Sequence, residues 1–283
     1  MAKSKKRKAA RQTSLASIPG TLVLVGAGKM GGAMLDGWLG LKLPPRKVVV
    51  IEPKPSKEIR ALARRGVRIN PKGRIGGVAA LVIAVKPQVA AEAVPALADI
   101  AGPKTVVVSI MAGKTLAFLQ GALPGAAVVR AMPNTPAAIG RGITVAVPNA
   151  KAGPAARKLA HALLAATGAV AWVDDEALMD AVTAVSGSGP AYVFLLAEAL
   201  ARAGVAAGLP EPLAVELARA TVAGSGELLH RSPLDPAALR ANVTSPGGTT
   251  AAALDVLMAE DGLQPVLTKA VAAAARRGRE LAG

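Results

Sequence analysis

Thr21-Leu22-Val23-Leu24-Val25-Gly26-Ala27-Gly28-Lys29-Met30-Gly31 is the stretch whose reading decides the fold. Its first part is apolar and β-branched without polar alternation, as in a strand covered on both faces of a parallel sheet. Gly26, Gly28 and Gly31 follow at once, and residues 32–39 have a helical composition. In a strand–turn–helix context these glycines bind a dinucleotide. Gly26 permits the tight turn, Gly28 lets a pyrophosphate approach the backbone, and Gly31 lets the helix pack on the sheet. Ala27, Lys29 and Met30 complete the turn. Glu52 falls 21 residues after Gly31, where an acid holds a ribose hydroxyl. That carboxylate repels a 2′-phosphate and favours NADH. Lys54, Ser56 and Lys57 follow closely and could hold such a phosphate. NADPH and NADH both stay open.

Working outward, residues 21–173 alternate apolar β-rich runs with helical windows. The runs are 21–25, 47–51, 80–85, 105–110, 127–131, 143–147 and 169–173; the windows include 57–65, 89–100 and 154–166. Such alternation predicts an α/β fold with a doubly wound Rossmann domain over residues 19–174. Ala84-Val85-Lys86-Pro87 and Asn134-Thr135 follow strand runs. Strand carboxyl ends line the ligand crevice of such sheets, so Lys86 and Asn134 are candidate cofactor contacts. After residue 174 the β-rich runs stop. Helices are expected over 176–185, 191–207, 212–229, 236–241, 250–258 and 263–281, in an all-helical domain of residues 175–283. These Ala-rich helices carry few charges, which predicts burial against a second subunit.

Composition excludes several classes. There are no cysteines, so disulfides, thiolate catalysis and cysteine-held metals are absent, and no metal site is expected. Aromatics are 2% of residues, too few for a stacking surface on single-stranded nucleic acid. Formal charge is +16. Lys3, Lys5, Lys6, Arg7, Lys8 and Arg11 supply six of those charges, which leaves 16 − 6 = +10. Residues 1–18 therefore read as a basic disordered tail without the apolar core of a signal peptide. No run reaches the roughly 18 apolar residues of a membrane span. The longest uncharged run, residues 181–197, is broken by Ser186-Gly187-Ser188-Gly189-Pro190. A soluble, cytoplasmic protein with no membrane or nucleic-acid partner is expected.

A second distinctive loop is Asn242-Val243-Thr244-Ser245-Pro246-Gly247-Gly248-Thr249-Thr250, which leads into a helix-forming alanine run. Glycines at a helix start leave bare N–H groups, a seat for a small anion.

With these residues in hand, the chain resembles the pyrroline-5-carboxylate reductase family from Thr21 to about Gly262. The likeness rests on five ordered motifs: residues 26–31, 84–88, 132–136, 186–192 and 243–250. It implies that NADPH or NADH reduces 1-pyrroline-5-carboxylate to L-proline, in a Rossmann domain followed by a helical domain that intertwines in a homodimer or higher homo-oligomer. It also implies site residues. Thr250 is the candidate catalytic hydroxyl, able to bond the ring nitrogen. Ser245, Gly247, Gly248 and Thr249 would hold the substrate, with Glu176 and Thr183 lining the pocket. Asn242, Ser109, Met111 and Ala112 would contact the cofactor. Where many members carry a small hydroxyl residue before the proline, this chain has Glu52-Pro53, which weighs against the family's usual NADPH preference. A hydroxyacid dehydrogenase needs an acid–base group on the interdomain helix, and residues 176–200 hold no Lys or His. A non-catalytic nucleotide sensor is the other alternative.

Overall fold

The computed structural model describes residues 15–282. The chain divides into two compact units. One comprises residues up to Gly187 together with those from Gly278 on, and the other is Ser188–Arg277.

The first unit is built on a sheet of strands β1 (Thr21–Val25), β2 (Val48–Ile51), β3 (Arg68–Ile69), β4 (Val78–Ile83), β5 (Val106–Ser109), β6 (Ala127–Met132), β7 (Gly142–Pro148) and β8 (Gly168–Trp172). Their order is β3-β2-β1-β4-β5-β6-β7-β8. The strand order reverses at β1, flanked by β2 and β4, which makes this the crevice position of a doubly wound sheet. Strands β1 to β6 are parallel, as the unbroken apolar runs predict. Strand β7 runs antiparallel to β6, and β8 runs parallel to β7. That reversal is a departure from a wholly parallel sheet. The link from β6 to β7 is a short 3₁₀ turn, Thr135–Ile139, too short for a helical crossover.

Helices α1 (Lys29–Gly40), α2 (Lys57–Ala61), α3 (Ala90–Ala93), α4 (Leu116–Ala122) and α5 (Pro154–Leu164) cover the sheet. Alternate strand residues feed opposite faces. Leu22, Leu24, Val48, Val50, Val82 and Val108 pack with Met34, Leu35 and Trp38 of α1. Val23, Val25, Leu81, Ile83 and Val107 pack with Val94, Leu97 and Leu119 on the other side. Trp38 Nε1 donates to the Leu163 carbonyl at 2.8 Å, so the buried indole satisfies a last-turn carbonyl of α5. The helix expected over 89–100 is only one turn of α-helix between 3₁₀ turns, because Pro95 cannot donate its share of the ladder.

Two boundaries differ from expectation. The basic tail was expected to reach residue 18, yet Leu15 and Ile18 are buried. Leu15 N–H donates to Leu41 O at 3.0 Å, and Lys47 Nζ donates to Ile18 O at 2.6 Å. Leu15 and Ile18 therefore belong to the core, while Ala16 and Ser17 between them are exposed; the rest of that expectation, residues 1–14, lies outside the described residues. Nor does the compact division fall at residue 174. Residues 176–187 pass through a 3₁₀ turn (Glu176–Leu178), helix α6 (Met179–Val182) and a π-turn (Thr183–Gly187), all in the first unit. The π-turn absorbs Ser186-Gly187, which read as a helix break. It leads directly into α7 (Gly189–Ala206).

The second unit contains α7, α8 (Glu211–Arg231), α9 (Pro236–Asn242), α10 (Thr249–Leu257) and most of α11 (Leu263–Ala282). Small residues let α7 and α8 approach closely. Ala201, Ala214 and Ala218 are buried, and a Cβ at Gly204 would meet Ala214 Cβ at 3.3 Å. Much of the remaining apolar surface is bare in the single chain: Phe194 is 62% exposed and Val256 71%. The continuous helical stretch Glu176–Ala206 is long and apolar enough to cross a membrane by length and composition, with 11% of its apolar window buried. Apolar surface of this extent calls for a partner.

Candidate functional site

The turn after β1 has the geometry that its glycines predict. Gly26 has φ +89, and a Cβ there would lie 2.6 Å from Ala84 O at the end of β4. A Cβ on Gly31 would strike Gly26 O, so α1 seats against the turn only without a side chain. Gly28 differs. It is the N-cap of α1, offers no side-chain cap, and a Cβ there would meet no protein atom within 4 Å. Nothing in the protein requires a glycine there, whereas a pyrophosphate lying against the backbone does. The residues present thus fit a dinucleotide.

Glu52 directly follows β2. Its Oε2 accepts from the Ala27 N–H at 2.9 Å, and its Oε1 accepts from the Lys54 N–H at 3.0 Å. The expected strand-end acid is therefore bonded to the glycine turn itself. Ser56 is engaged elsewhere: its hydroxyl accepts from Ile59 N–H as the N-cap of α2. Lys86 opens the 3₁₀ turn after β4, beside Ala84, Val85 and Pro87. Ser109 ends β5 and is buried, with its hydroxyl accepting from Met111 N–H at 3.4 Å. Met111 is buried too, while Ala112 is exposed. Asn134 Oδ1 accepts from Ile143 N–H at 2.9 Å, which ties the β6–β7 link to the next strand.

Glu176 has a demanding environment. Its Oε1 lies 2.6 Å from Arg130 Nη1 on β6 and accepts from Leu116 N–H, the first helical residue of α4, at 2.8 Å. One carboxylate thus joins β6, the start of α4 and the helical stretch that carries Thr183. Thr183 Oγ1 donates back to Met179 O at 2.8 Å, and Gly187 packs against the Met132 side chain at the end of β6. Arg130, the partner of Glu176, is a position that sequence reasoning missed; the signal was a charged residue within an otherwise apolar strand.

In the second unit, Asn242 is the last residue of α9, and residues 243–248 turn into α10. Thr244 Oγ1 donates to Arg240 O at 2.7 Å, and Gly248 N–H donates to Ser245 O at 3.1 Å. Gly247 has φ +69, the left-handed region that suits glycine. Gly248 is the N-cap of α10, and no side chain caps the helix. Ala252 N–H is the first of the helix to find an acceptor, Gly248 O at 3.2 Å. Among the described residues, the N–H groups of Thr249, Thr250 and Ala251 have none. Four hydroxyl residues stand within reach of this helix start, yet none caps it, so its dipole and donors remain available to an anion.

The comparisons agree with both halves. Residues 21–113 match the family described as coenzyme F420-dependent NADP oxidoreductase, and residues 176–281 match that described as pyrroline-5-carboxylate reductase dimerisation. A pyrroline-5-carboxylate reductase of Synechocystis sp. is 41% identical over 263 residues, covering 92% of this chain and 97% of that protein. The structure of a pyrroline-5-carboxylate reductase from Coxiella burnetii superposes with a TM-score of 0.86 at 31% identity, covering 94% of this chain and 99% of that one. The Plasmodium falciparum pyrroline carboxylate reductase, solved with NADP bound, has a TM-score of 0.77 at 26% identity, with 94% and 99% covered. A glycine turn shaped for a dinucleotide, an uncapped helix start after Ser-Pro-Gly-Gly and relatives of matching length lead to one conclusion: this chain belongs to the pyrroline-5-carboxylate reductase family.

Proposed function

We propose that this chain reduces the C=N bond of 1-pyrroline-5-carboxylate to give L-proline, the last step of proline biosynthesis, with NAD(P)H as cofactor. The observation that carries the reading is the uncapped start of α10. Its N–H groups at Thr249, Thr250 and Ala251 suit the substrate carboxylate. Ser245, Gly247 and Gly248 shape that seat, and Thr249 presents its hydroxyl there. Thr250 lies one residue further into the helix, where its hydroxyl can bond the ring nitrogen and hold its proton. A protonated cyclic imine is already electrophilic, so orientation and water exclusion suffice. The nicotinamide supplies hydride when bound.

The division of labour follows the two halves. Residues 19–174 serve the cofactor, through Gly26 to Gly31, Glu52, Lys54, residues 84–87, Ser109, Met111, Ala112 and Asn134, with Asn242 added from the helical half. Residues 175–283 serve substrate and assembly. Glu176 lines the pocket with Thr183, and its Oε1, bonded to Arg130 and Leu116 N–H, fixes the frame of this stretch. The chain assembles as a homo-oligomer, and we assign the bare apolar face of α7, with Phe194, to a homodimer. NAD(P)H is regenerated inside the cell, so the reading carries a cytoplasmic location. The test is oxidation of NAD(P)H followed at 340 nm with pyrroline-5-carboxylate present. Turnover with product identified as L-proline is expected; bound cofactor without turnover would refute it.

A further inference from the structure

The end of β2 is held in an unusual way. Glu52 N–H donates to Asn70 Oδ1 at 2.9 Å, and Asn70 Nδ2 donates to Glu52 O at 2.8 Å. The Asn70 side-chain amide thus pairs with both backbone groups of Glu52, as another strand residue would. Asn70's own N–H donates to Val50 O at 2.8 Å, extending the short β2–β3 ladder by one step. Its φ of +45 turns the chain away at that point. Asparagine tolerates this conformation better than most residues.

The clamp fixes Glu52 from the backbone side, and the Ala27 and Lys54 N–H groups fix its carboxylate. A carboxylate bonded to the first N–H after Gly26 sits at the ribose end of the cofactor seat. Among the described residues no lysine or arginine pairs with it. Ser56, a candidate phosphate ligand, is occupied by Ile59 N–H and by Glu58. The Ser56 hydroxyl holds the Glu58 carboxyl below its usual range. Lys54, Lys57 and Arg60, the last beside Glu58, are the opposing cations, all exposed to solvent that screens them.

We propose that Glu52 is the specificity-determining residue and Asn70 its positioning residue, together directing this reductase to NADH by accepting the adenosine 2′-hydroxyl and repelling a 2′-phosphate. The proposal rests on the reading of the Gly26 turn as the cofactor seat. It separates this chain from the Plasmodium relative solved with NADP.

The test is titration of NADH and NADPH by reduced-nicotinamide fluorescence, without substrate, on the full chain. Wild type should bind NADH at least about tenfold more tightly, since one close like-charge contact is worth a factor of that order. Glu52→Ser should move the NADPH/NADH affinity ratio about tenfold or more toward NADPH. Glu52→Gln, isosteric and uncharged, should move it in the same direction. Asn70→Gly keeps the positive φ accessible while deleting the clamp. It should shift the ratio by about two- to fivefold, whereas a merely structural loss weakens both cofactors alike. NADPH bound as tightly as NADH by wild type, a ratio unmoved in both Glu52 variants, or binding of neither nucleotide would overturn the proposal. Discriminating binding without turnover would instead refute the reductase reading and leave this one standing.

Discussion

Glu176→Leu is the substitution whose cost the structure determines most directly. Its carboxylate lies 2.6 Å from Arg130 Nη1, and the two side chains are 28% and 6% exposed, respectively. Deleting the acid leaves a buried guanidinium without its counter-charge and Leu116 N–H without its acceptor. Breaking a buried pair from one side costs roughly 3–5 kcal/mol, and the partial exposure of Glu176 places this case near the lower end. The orphaned N–H adds about 1 kcal/mol. A total of about 4 kcal/mol in a unit of this size lowers Tm by about 8–16 °C. The reverse change, Arg130→Met, leaves the acid that water can reach, and should cost about half as much. Because the shared penalty disappears when both charges go, Arg130→Met with Glu176→Leu should be more stable than Glu176→Leu alone. Thermal unfolding of the three variants and wild type measures this. A Glu176→Leu protein that melts within 2 °C of wild type on this scale, or a double variant that is simply additive, would show that the pair does not join β6 to α4.

Four further outcomes are expected. Gly28→Val should lower Tm by only about 2–4 °C, the cost of a poorer N-cap, because a Cβ there would meet no protein atom within 4 Å. It should nevertheless abolish NADH and NADPH binding in the fluorescence titration; retained affinity would mean that the cofactor does not cross Gly28. Thr250→Ala should lower kcat/KM by roughly tenfold to a thousandfold, the scale of one lost polar contact in a closed site; steady-state rates at wild-type level would remove Thr250 from the site. Deleting residues 1–14 should leave turnover and Tm unchanged, whereas deletion through residue 18 removes the buried Leu15 and Ile18 and should cost about 3–6 kcal/mol in denaturant titration. Phe194→Asp should dissociate the oligomer, read by light scattering as a halved or smaller mass; an unchanged mass would place the interface elsewhere.

Much of this was legible because backbone demands leave marks in sequence. Gly26 and Gly31 are forced by a positive φ and a close approach, and Gly28 by none, so the fingerprint separates structural glycines from a ligand-facing one. Unbroken apolar runs marked β1, β4 and β5 because both faces are covered. Long-range pairing left weaker traces. Strand β3 has only two residues, Arg68 and Ile69, and no window detects it. Asn70 looks like an ordinary turn residue until its amide is seen across 18 residues of chain against Glu52. The reversal of β7 depends on connection geometry, not on the composition of Gly142–Pro148. Glu176 was reached through family resemblance, but its partner Arg130, 46 residues away, was not. Leu15 and Ile18 were assigned to the tail because neighbouring charge outweighed two apolar side chains.

The buried indole of Trp38 gives the molecule an optical reporter. The chain has two tryptophans and one tyrosine. Trp38 is sealed between α1 and the end of α5, while Trp172 stands on β8. Both lie in the first compact unit, and Ser188–Arg277 contains no tryptophan. Emission at tryptophan wavelengths therefore follows the sheet alone, whereas far-ultraviolet circular dichroism is dominated by the long helices. A gap between the two melting curves would show the halves unfolding in separate steps; superposed curves would show one cooperative transition.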